Sequence, residues 1–437
     1  MEILERVKQD KVKYILLQFS DINGMVKNIT IPVSELKQSL EKGTWFDGSS
    51  IDGFMRIHES DMYLKPDPET YAVIPWIEDS VKTARFICDI YTPDGKLYDC
   101  DPRHILKKVL KEAKELGYTY QVGPEPEFFL LKSDNGIKPL SHDIGGYFDL
   151  NMDKAYEIRA QMVEALEKMN IKVEASHHEV AYGQHEIDFR YDDALKTADN
   201  VITFKFTLKA IAEKHGLIAT FMPKPFFGIN GSGMHCHQSF VKEGKNAFYD
   251  EKDPYLLSDV AKQFIAGQLK HIKEMSCVLS PLVNSYKRLV PGYEAPVYIC
   301  WSKTNRSALI RIPRFNPENS EAARAELRCP DPSCNPYLAF AAMLKAGLKG
   351  IKENMKTPLP IEEDVYEFDD EKLEKHYIDT LPASLGEAIS LMKESKLLLE
   401  VFGQSLFWKF IESRKTEWDD YRRRVFDWEI EKYMVKY

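Results

Sequence analysis

Apolar positions along the chain follow two rhythms. Over the first hundred residues, short runs of β-branched and aromatic residues (KYILLQFSD, GMVKNITIPV, YAVIPWI and ARFICDIYTP) are broken by Gly, Pro, Asn and Asp. Such runs predict strands, and together they predict one small β-rich domain over residues 1–100. Then the period changes. DCDPRHILKKVLKEAKELG places Asp101 at an N-cap, Pro102 in the first turn, apolar residues at i, i+3 and i+4, and Gly117 as a stop. It predicts a helix that opens a second domain, 101–437.

Beyond it, helical stretches (DKAYEIRAQMVEALEKMN, DALKTADNVITFKFTLKAIAEKHG, NPYLAFAAMLKAGLKGI) alternate with strand-like pieces (QVGPEPEFFLL, HEIDFRY, ALIRIP). Separated strands among helices predict an α+β class with a helix-backed, largely antiparallel sheet. TPLPIEEDVYEFDDEKLEKHYIDTLP is acidic and Pro-containing and reads as a surface loop. The terminal EWDDYRRRVFDWEIEKYMVKY reads as an amphipathic helix whose aromatic residues should dock. The chain has no repeat of fixed period and no low-complexity tract.

Composition narrows the class. Of 437 residues, 44% are hydrophobic, 29% charged and 12% aromatic, which supplies a large core and rules out disorder, collagen or coiled coil for the chain as a whole. Lys and Arg number 59 against 68 Asp and Glu, a net charge of -9, which argues against nucleic acid or an anionic membrane as a partner. Seven scattered cysteines without a CxxC pair read as reduced thiols of a cytosol. The N-terminus lacks the regions of a signal peptide, and no run approaches the roughly 20 apolar residues of a membrane span. A cytoplasmic location is the expectation.

Four clusters carry candidate chemistry. In GPEPEFFL, Glu125 and Glu127 are two apart, so an extended backbone points both carboxylates to one face, where buried like charges need a cation. Alone, the pair also fits a solvated strand face. In HHEVAYGQHEIDF, Gly183 invites a turn that would bring Glu179 and Glu186 side by side. The zinc-protease spacing His-Glu-x-x-His is absent, and a polar hairpin tip is the alternative. In NGSGMHCHQS, His235 and His237 share a strand face after glycines that permit close backbone approach, or are simply satisfied core imidazoles. Arg288, Arg306, Arg311, Arg324 and Arg328 suit an anionic substrate, although each alone fits a surface ion pair. The donors are mostly oxygen with one or two imidazoles, which favours Mg²⁺ or Mn²⁺ over structural zinc. With no Walker A and no Gly-x-Gly-x-x-Gly after a strand, a nucleotide would be held through metals and arginines.

FDGSSIDGF, GPEPEFF, HHEVAYGQHEIDF, NGSGMHCHQS, KRLVPGYEAP, NRSALIRIP and ELRCPDPSCNPYLAF occur here in one order. In that order the chain resembles the bacterial-type (type I) glutamine synthetases over essentially its whole length. The resemblance implies a small N-terminal β-grasp domain, a catalytic domain over 101–437 whose antiparallel sheet forms an open barrel, and a dodecamer of two stacked hexameric rings with active sites between ring neighbours. It implies ATP-dependent ligation of ammonia to L-glutamate through γ-glutamyl phosphate, with two or three Mg²⁺ or Mn²⁺ ions per subunit. By motif, one metal would fall to Glu127, Glu179 and Glu186, and a second to Glu125, His235 and Glu326.

The resemblance also implies that Arg288 and Arg328 hold the glutamate carboxylates, with Asn230 and Gly231 near its α-amino end. Arg306 and Arg311 would face the phosphoryl group and nucleotide; Glu174, His237, Gln238 and Ser239 match nucleotide-contacting positions. Asp47 matches the acid that takes a proton from ammonium, and Glu294 the flap residue that closes over the intermediate, shielding an acyl phosphate from water.

Two departures place the chain nearer the α subtype. The segment between Glu127 and Gly145 is short, and Tyr366 lies outside the context of members regulated by adenylylation. Arg56 matches a position implicated in feedback inhibition by glutamine, and a regulatory protein partner is an open expectation. The rivals are a ligase joining glutamate to another amine and a non-catalytic nitrogen sensor. The presence of Asp47 and Glu294 argues against the first, and six filled metal positions against the second.

Overall fold

The computed structural model describes residues 2–49, 51, 61–132, 138–139, 143, 145–149, 152–291 and 295–437. Arg56 and Glu294 lie outside the described residues.

Strands β1 (Tyr14–Ser20), β2 (Val26–Pro32), β3 (Thr44–Asp47), β4 (Asp61–Pro66), β5 (Ala72–Val73) and β6 (Thr83–Tyr91) form a small sheet of order β2-β1-β6-β4-β3, with β5 on β6. β1 and β6 run parallel and the other pairs antiparallel. The run YAVIPWI gives only the two residues of β5; Ile74 N still donates to Thr83 O at 2.9 Å, and Pro75 then supplies no donor.

Helix Pro102–Glu115 starts where its capping signals place it, with the Asp101 carboxylate accepting from Arg103 N at 3.0 Å. Arg103 then joins the two sheets' supports. Its guanidinium pairs with Asp67 and Asp89 of the small sheet's region at 2.7 Å each and with Asp199 of helix Ala194–Lys214 at 2.9 Å. Removing one partner from so buried a network leaves an uncompensated charge, so this junction is held to one geometry.

The larger sheet comprises β7 (Thr119–Lys132), β8 (Lys138–Pro139), β9 (Val173–His178), β10 (Gln184–Phe189), β11 (Asp192–Asp193), β12 (Leu217–Thr220), β13 (Met234–Lys242), β14 (Lys245–Asn246), β15 (Tyr298–Ser302), β16 (Ala308–Arg311) and β17 (Ala325–Leu327). Its order is β15-β16-β17-β13-β7-β10-β9, and only β15 and β16 pair in parallel among the described residues. Helices Pro102–Glu115, Ala194–Lys214 and Asp259–Leu279 pack on it, and helix Pro336–Lys352, buried along nearly its whole length, packs against those three.

β7 is the axis of the site. It pairs with β13 over Thr119–Pro126, while its other edge meets β11 up to Val122 and β10 only from Glu127. Glu127 N donates to Gly233 O on the β13 side, so by alternation the backbones of Pro124 and Pro126 face the opposite, unpaired edge. Prolines, lacking the N–H, fit an edge with nothing to donate to. That gap opens the cleft.

Two expectations are corrected. The acidic segment is not simply a loop: Val365–Glu367 forms a helical turn and Asp370–Lys375 a short helix capped by Asp369, with Val365 fully buried. Charge count outweighed these apolar anchors in the sequence. At the C-terminus, helix Lys396–Tyr421 takes in only the EWDDY start of the predicted element, and helix Asp427–Tyr433 buries none of its residues. Trp428 is 58% exposed, whereas Trp418, at the start of the predicted element, packs against the core. Among the described residues no helix is long and apolar enough to cross a membrane.

Candidate active site

Strand alternation assembles the wall. Glu125 stands opposite His235 of β13, and two residues on Glu127 stands opposite Glu186 of β10. On β13 the half-buried positions are His235, His237, Ser239 and Val241, while Met234, Cys236, Gln238 and Phe240 are buried. Gln238 borders the cleft with its side chain turned to the core. Its amide accepts from Tyr120 Oη at 2.6 Å and exchanges hydrogen bonds with Gln268 at 2.7 and 3.1 Å. The side chain serves the core, and only the backbone borders the cleft.

The hairpin turn at Gly183 has φ +69°, the left-handed region expected of glycine. Its register differs from the simple picture, with Glu186 opposite His177 and Glu179 N donating to Gln184 O at 2.8 Å. Glu179 and Glu186 meet across a diagonal rather than as a direct pair.

Two cavities use this wall. A small one of 50 Å³ brings together Glu127, Glu179, Asn230, Gly231, His235, Arg288 and Arg328. A cleft of 580 Å³ is lined by Glu125, Glu174, His237, Ser239 and Arg324, with the Gln238 backbone. Arg306 is exposed and Arg311 half-buried; neither lines these cavities. Asp47 lies on β3, the edge of the other sheet, exposed and accepting from Ser49 N at 2.8 Å. The glycines before β13 make room for protein rather than directly for ligand. A Cβ at Gly231 would fall 2.2 Å from Pro223 O, and one at Gly233 2.5 Å from Arg288 Nη2. Arg288 itself is buried, donating to the carbonyls of Cys329 (2.9 Å), Pro330 (3.3 Å) and Arg328 (3.1 Å).

The acids divide electrostatically. Burial, then the charge of Glu179, pushes Glu127 up to about 8. Burial, then Glu127, pushes Glu186 well above the carboxylate range, and burial raises Asp188. Glu125 and Glu326 go the other way. Burial acts against both, but the imidazoles of His237 and His235 hold Glu125 well down, and Arg328 with the same imidazoles and Arg311 holds Glu326 down. Arg328 Nη1 donates to Glu326 Oε1 at 2.6 Å. Arg311 Nε lies 3.1 Å from Oε2 but off the hydrogen-bond line, so that buried oxygen makes no hydrogen bond.

Ligand-capable atoms of Glu125, His237 and Glu326 lie within 4.8 Å of one another, as do those of His177, Glu186 and Asp188. His235 Nδ1 is 3.5 Å from Glu125 and 3.7 Å from Glu326. Crowded acids raised by burial and then by mutual repulsion, with Glu326 Oε2 and Asp188 Oδ1 left without hydrogen bonds, fit a divalent cation. Gln184, Asp188 and His177 escaped the sequence reading. Gln184 Nε2 donates to Glu127 Oε2 at 2.8 Å and to Gly231 O at 3.1 Å. The signal was present, since Gln184, Glu186 and Asp188 alternate along a strand otherwise rich in buried residues.

Residues 11–93 match the family model described as glutamine synthetase, beta-grasp domain, and residues 99–433 match that for the glutamine synthetase catalytic domain. The chain belongs to the glutamine synthetase family. It is 52% identical to the glutamine synthetase of Clostridium saccharobutylicum, covering 100% of this chain and 98% of that one. It is 51% identical to that of Thermotoga maritima, covering 99% of each. The solved glutamine synthetase of Plasmodium falciparum superposes with a TM-score of 0.89 at 28% identity, covering 99% of this chain and 98% of that one. The family's β-grasp domain and its curled, helix-backed catalytic sheet are the two sheets described above.

Proposed function

We propose that the chain is a glutamate–ammonia ligase, making L-glutamine, ADP and phosphate from L-glutamate, ammonia and ATP. The observation that carries this is 52% identity to a glutamine synthetase over the full length, with five of the six candidate metal ligands on adjoining strands of one wall and Glu179 one residue past the end of β9.

In the first step the glutamate side-chain oxygen attacks the γ-phosphorus of ATP and ADP leaves. In the second, ammonia attacks the carbonyl carbon of γ-glutamyl phosphate and phosphate leaves. Mg²⁺ or Mn²⁺ held by Glu127, Glu179 and Glu186, and by Glu125, His235 and Glu326, would neutralise phosphate oxygens. His235 is preferred to His237 as ligand because Arg324 Nε donates to His237 Nδ1 (3.2 Å), leaving the ring proton on Nε2, where it meets Glu125 Oε1 at 2.7 Å. His237 thereby aims Glu125. Arg288 and Arg328 bind the glutamate carboxylates, Asn230 and Gly231 border its amino end, and Arg306 and Arg311 steady the transferring phosphoryl group. Glu174, Ser239 and the Gln238 backbone border the nucleotide. Glu294 closes over the acyl phosphate, and Asp47 takes a proton from ammonium.

We place the domain division at 100/101, beside the Asp101 cap. Asp47 belongs to the other sheet, which favours a site completed by a neighbouring subunit, and the family fits a homo-oligomer, here two six-membered rings. The exposed apolar tail around Trp428 supports such packing. A cytoplasmic α-subtype enzyme with feedback inhibition through Arg56 completes the reading. ADP release that depends on both glutamate and ammonium is the test. Release with another amine but not ammonium overturns the substrate assignment, and reassembled mixtures of Asp47→Ala and Glu127→Ala chains should regain partial activity if sites are shared.

A further inference from the structure

Behind Glu179 and Glu186 lies a charged cluster that this chemistry does not use. Asp143, His178 and His185 are buried, and the Asp143 carboxylate spans the two rings, Oδ1 3.1 Å from His178 Nε2 and Oδ2 3.1 Å from His185 Nε2. The second contact is bent away from hydrogen-bond alignment.

The far ring nitrogens fix the protons. His185 Nδ1 lies 3.1 Å from Arg159 Nη1, and a guanidinium only donates, so Nδ1 accepts and the ring proton is on Nε2, towards Asp143. His178 Nδ1 lies 2.6 Å from the Glu179 carbonyl oxygen, which only accepts, so this nitrogen carries a proton. Arg159 is neutralised by Asp153 at 2.7 Å. The Asp143, His178 and His185 atoms are close enough to hold a metal, but the His185 Nε2 proton and the adjacent guanidinium oppose a cation there. The arrangement is a staple.

His178 and His185 are cross-strand partners on β9 and β10, each one residue before a proposed ligand. Lys154 N also donates to Asp143 Oδ1 at 3.3 Å, and a Cβ at Gly145 would stand 3.2 Å from the His178 ring, so Asp143 and Gly145 lie tight against the hairpin.

We propose that Asp143 is a positioning residue for metal binding: by bridging His178 and His185 it fixes the Glu179 peptide and the strand that presents Glu186. The proposal rests on Glu179 and Glu186 being metal ligands.

The test is Mn²⁺ titration of the assembled full-length enzyme without nucleotide, read by electron paramagnetic resonance, together with kcat at saturating Mn²⁺. Asp143→Asn, nearly isosteric, should raise the Mn²⁺ Kd about tenfold, as loss of groups behind metal ligands does, with kcat at saturation within about threefold of wild type. Arg159→Met, which frees His185 Nδ1, should raise Kd less. Glu186→Gln calibrates the experiment. If it leaves Kd unchanged, the ligand assignment fails and the staple's role with it. If Glu186→Gln weakens Mn²⁺ binding and Asp143→Asn does not, even with a lowered melting temperature, the positioning role alone is overturned. Should Asp143→Asn not assemble, an unchanged Kd in Arg159→Met overturns it and a raised one supports it.

Discussion

The two halves of the cleft wall hold their acids in opposite conditions. Glu127, Glu179, Glu186 and Asp188 crowd one another, with His177 and the Gln184 amide as close neighbours, and the pull of Arg288 and Arg328 does not offset burial at Glu127. Glu125 and Glu326 instead sit among His235, His237, Arg311 and Arg328 and stay ionised. The difference teaches where a cation is needed. The first half becomes fully charged only when a metal arrives, so binding there releases protons; the second half has its counter-charges built in and stands without metal.

The largest expected effect tests the first half by function. Glu127→Ala should cost about a thousandfold in kcat, at the upper end for loss of one preorganised charged group, while the assembled protein stays folded. Exhaustive EDTA treatment should silence the wild type equally, with Mg²⁺ or Mn²⁺ restoring turnover. Full activity after chelation sinks the metal reading.

The next effect separates the halves by stability. Glu326→Ala strands two arginines whose partner was buried, and metal-free protein should lose about 3 kcal/mol in denaturant unfolding at fixed protomer concentration. Glu127→Ala, which removes an unbalanced acid, should leave metal-free stability unchanged or higher. If both variants lose stability alike, the contrast between the halves is wrong.

How much of this was legible depends on the range of the signal. Glu125 with Glu127, His235 with His237 and the Asp101 cap were readable because period-two alternation and capping are local. The same alternation sets the Gln238 side chain on the core face, between His237 and Ser239. Cross-strand register was out of reach: that Glu179 pairs with Gln184 is set by how the turn through Gly183 closes. The tail's apolar pattern foretold a buried face, yet helix Asp427–Tyr433 buries no residue and Trp428 is exposed.

The smallest effect sharpens the contrast through pH. Glu127 titrates near 8 in the folded, metal-free protein, against an unfolded value near 4.3 for a glutamate. A carboxyl raised on folding binds its proton more tightly in the native state, so its contribution to stability is complete below about pH 4 and is lost as pH rises towards 8. Chelated wild-type protein should therefore lose about 2 kcal/mol of unfolding free energy between pH 5 and 8. This is well under the roughly 1.4 kcal/mol per pH unit that a fully buried carboxyl would give, because relaxation and water entering the metal-free site weaken the burial that raises Glu127. Glu127→Gln should flatten that slope, and saturating Mg²⁺ should reverse it, since a bound cation favours the ionised form. Glu326, held down on folding, runs the opposite way: it contributes stability above its unfolded pKa that is lost only on acidification, so Glu326→Gln should leave the pH 5–8 slope unchanged. A slope that survives Glu127→Gln and disappears in Glu326→Gln would exchange the roles assigned to the two halves.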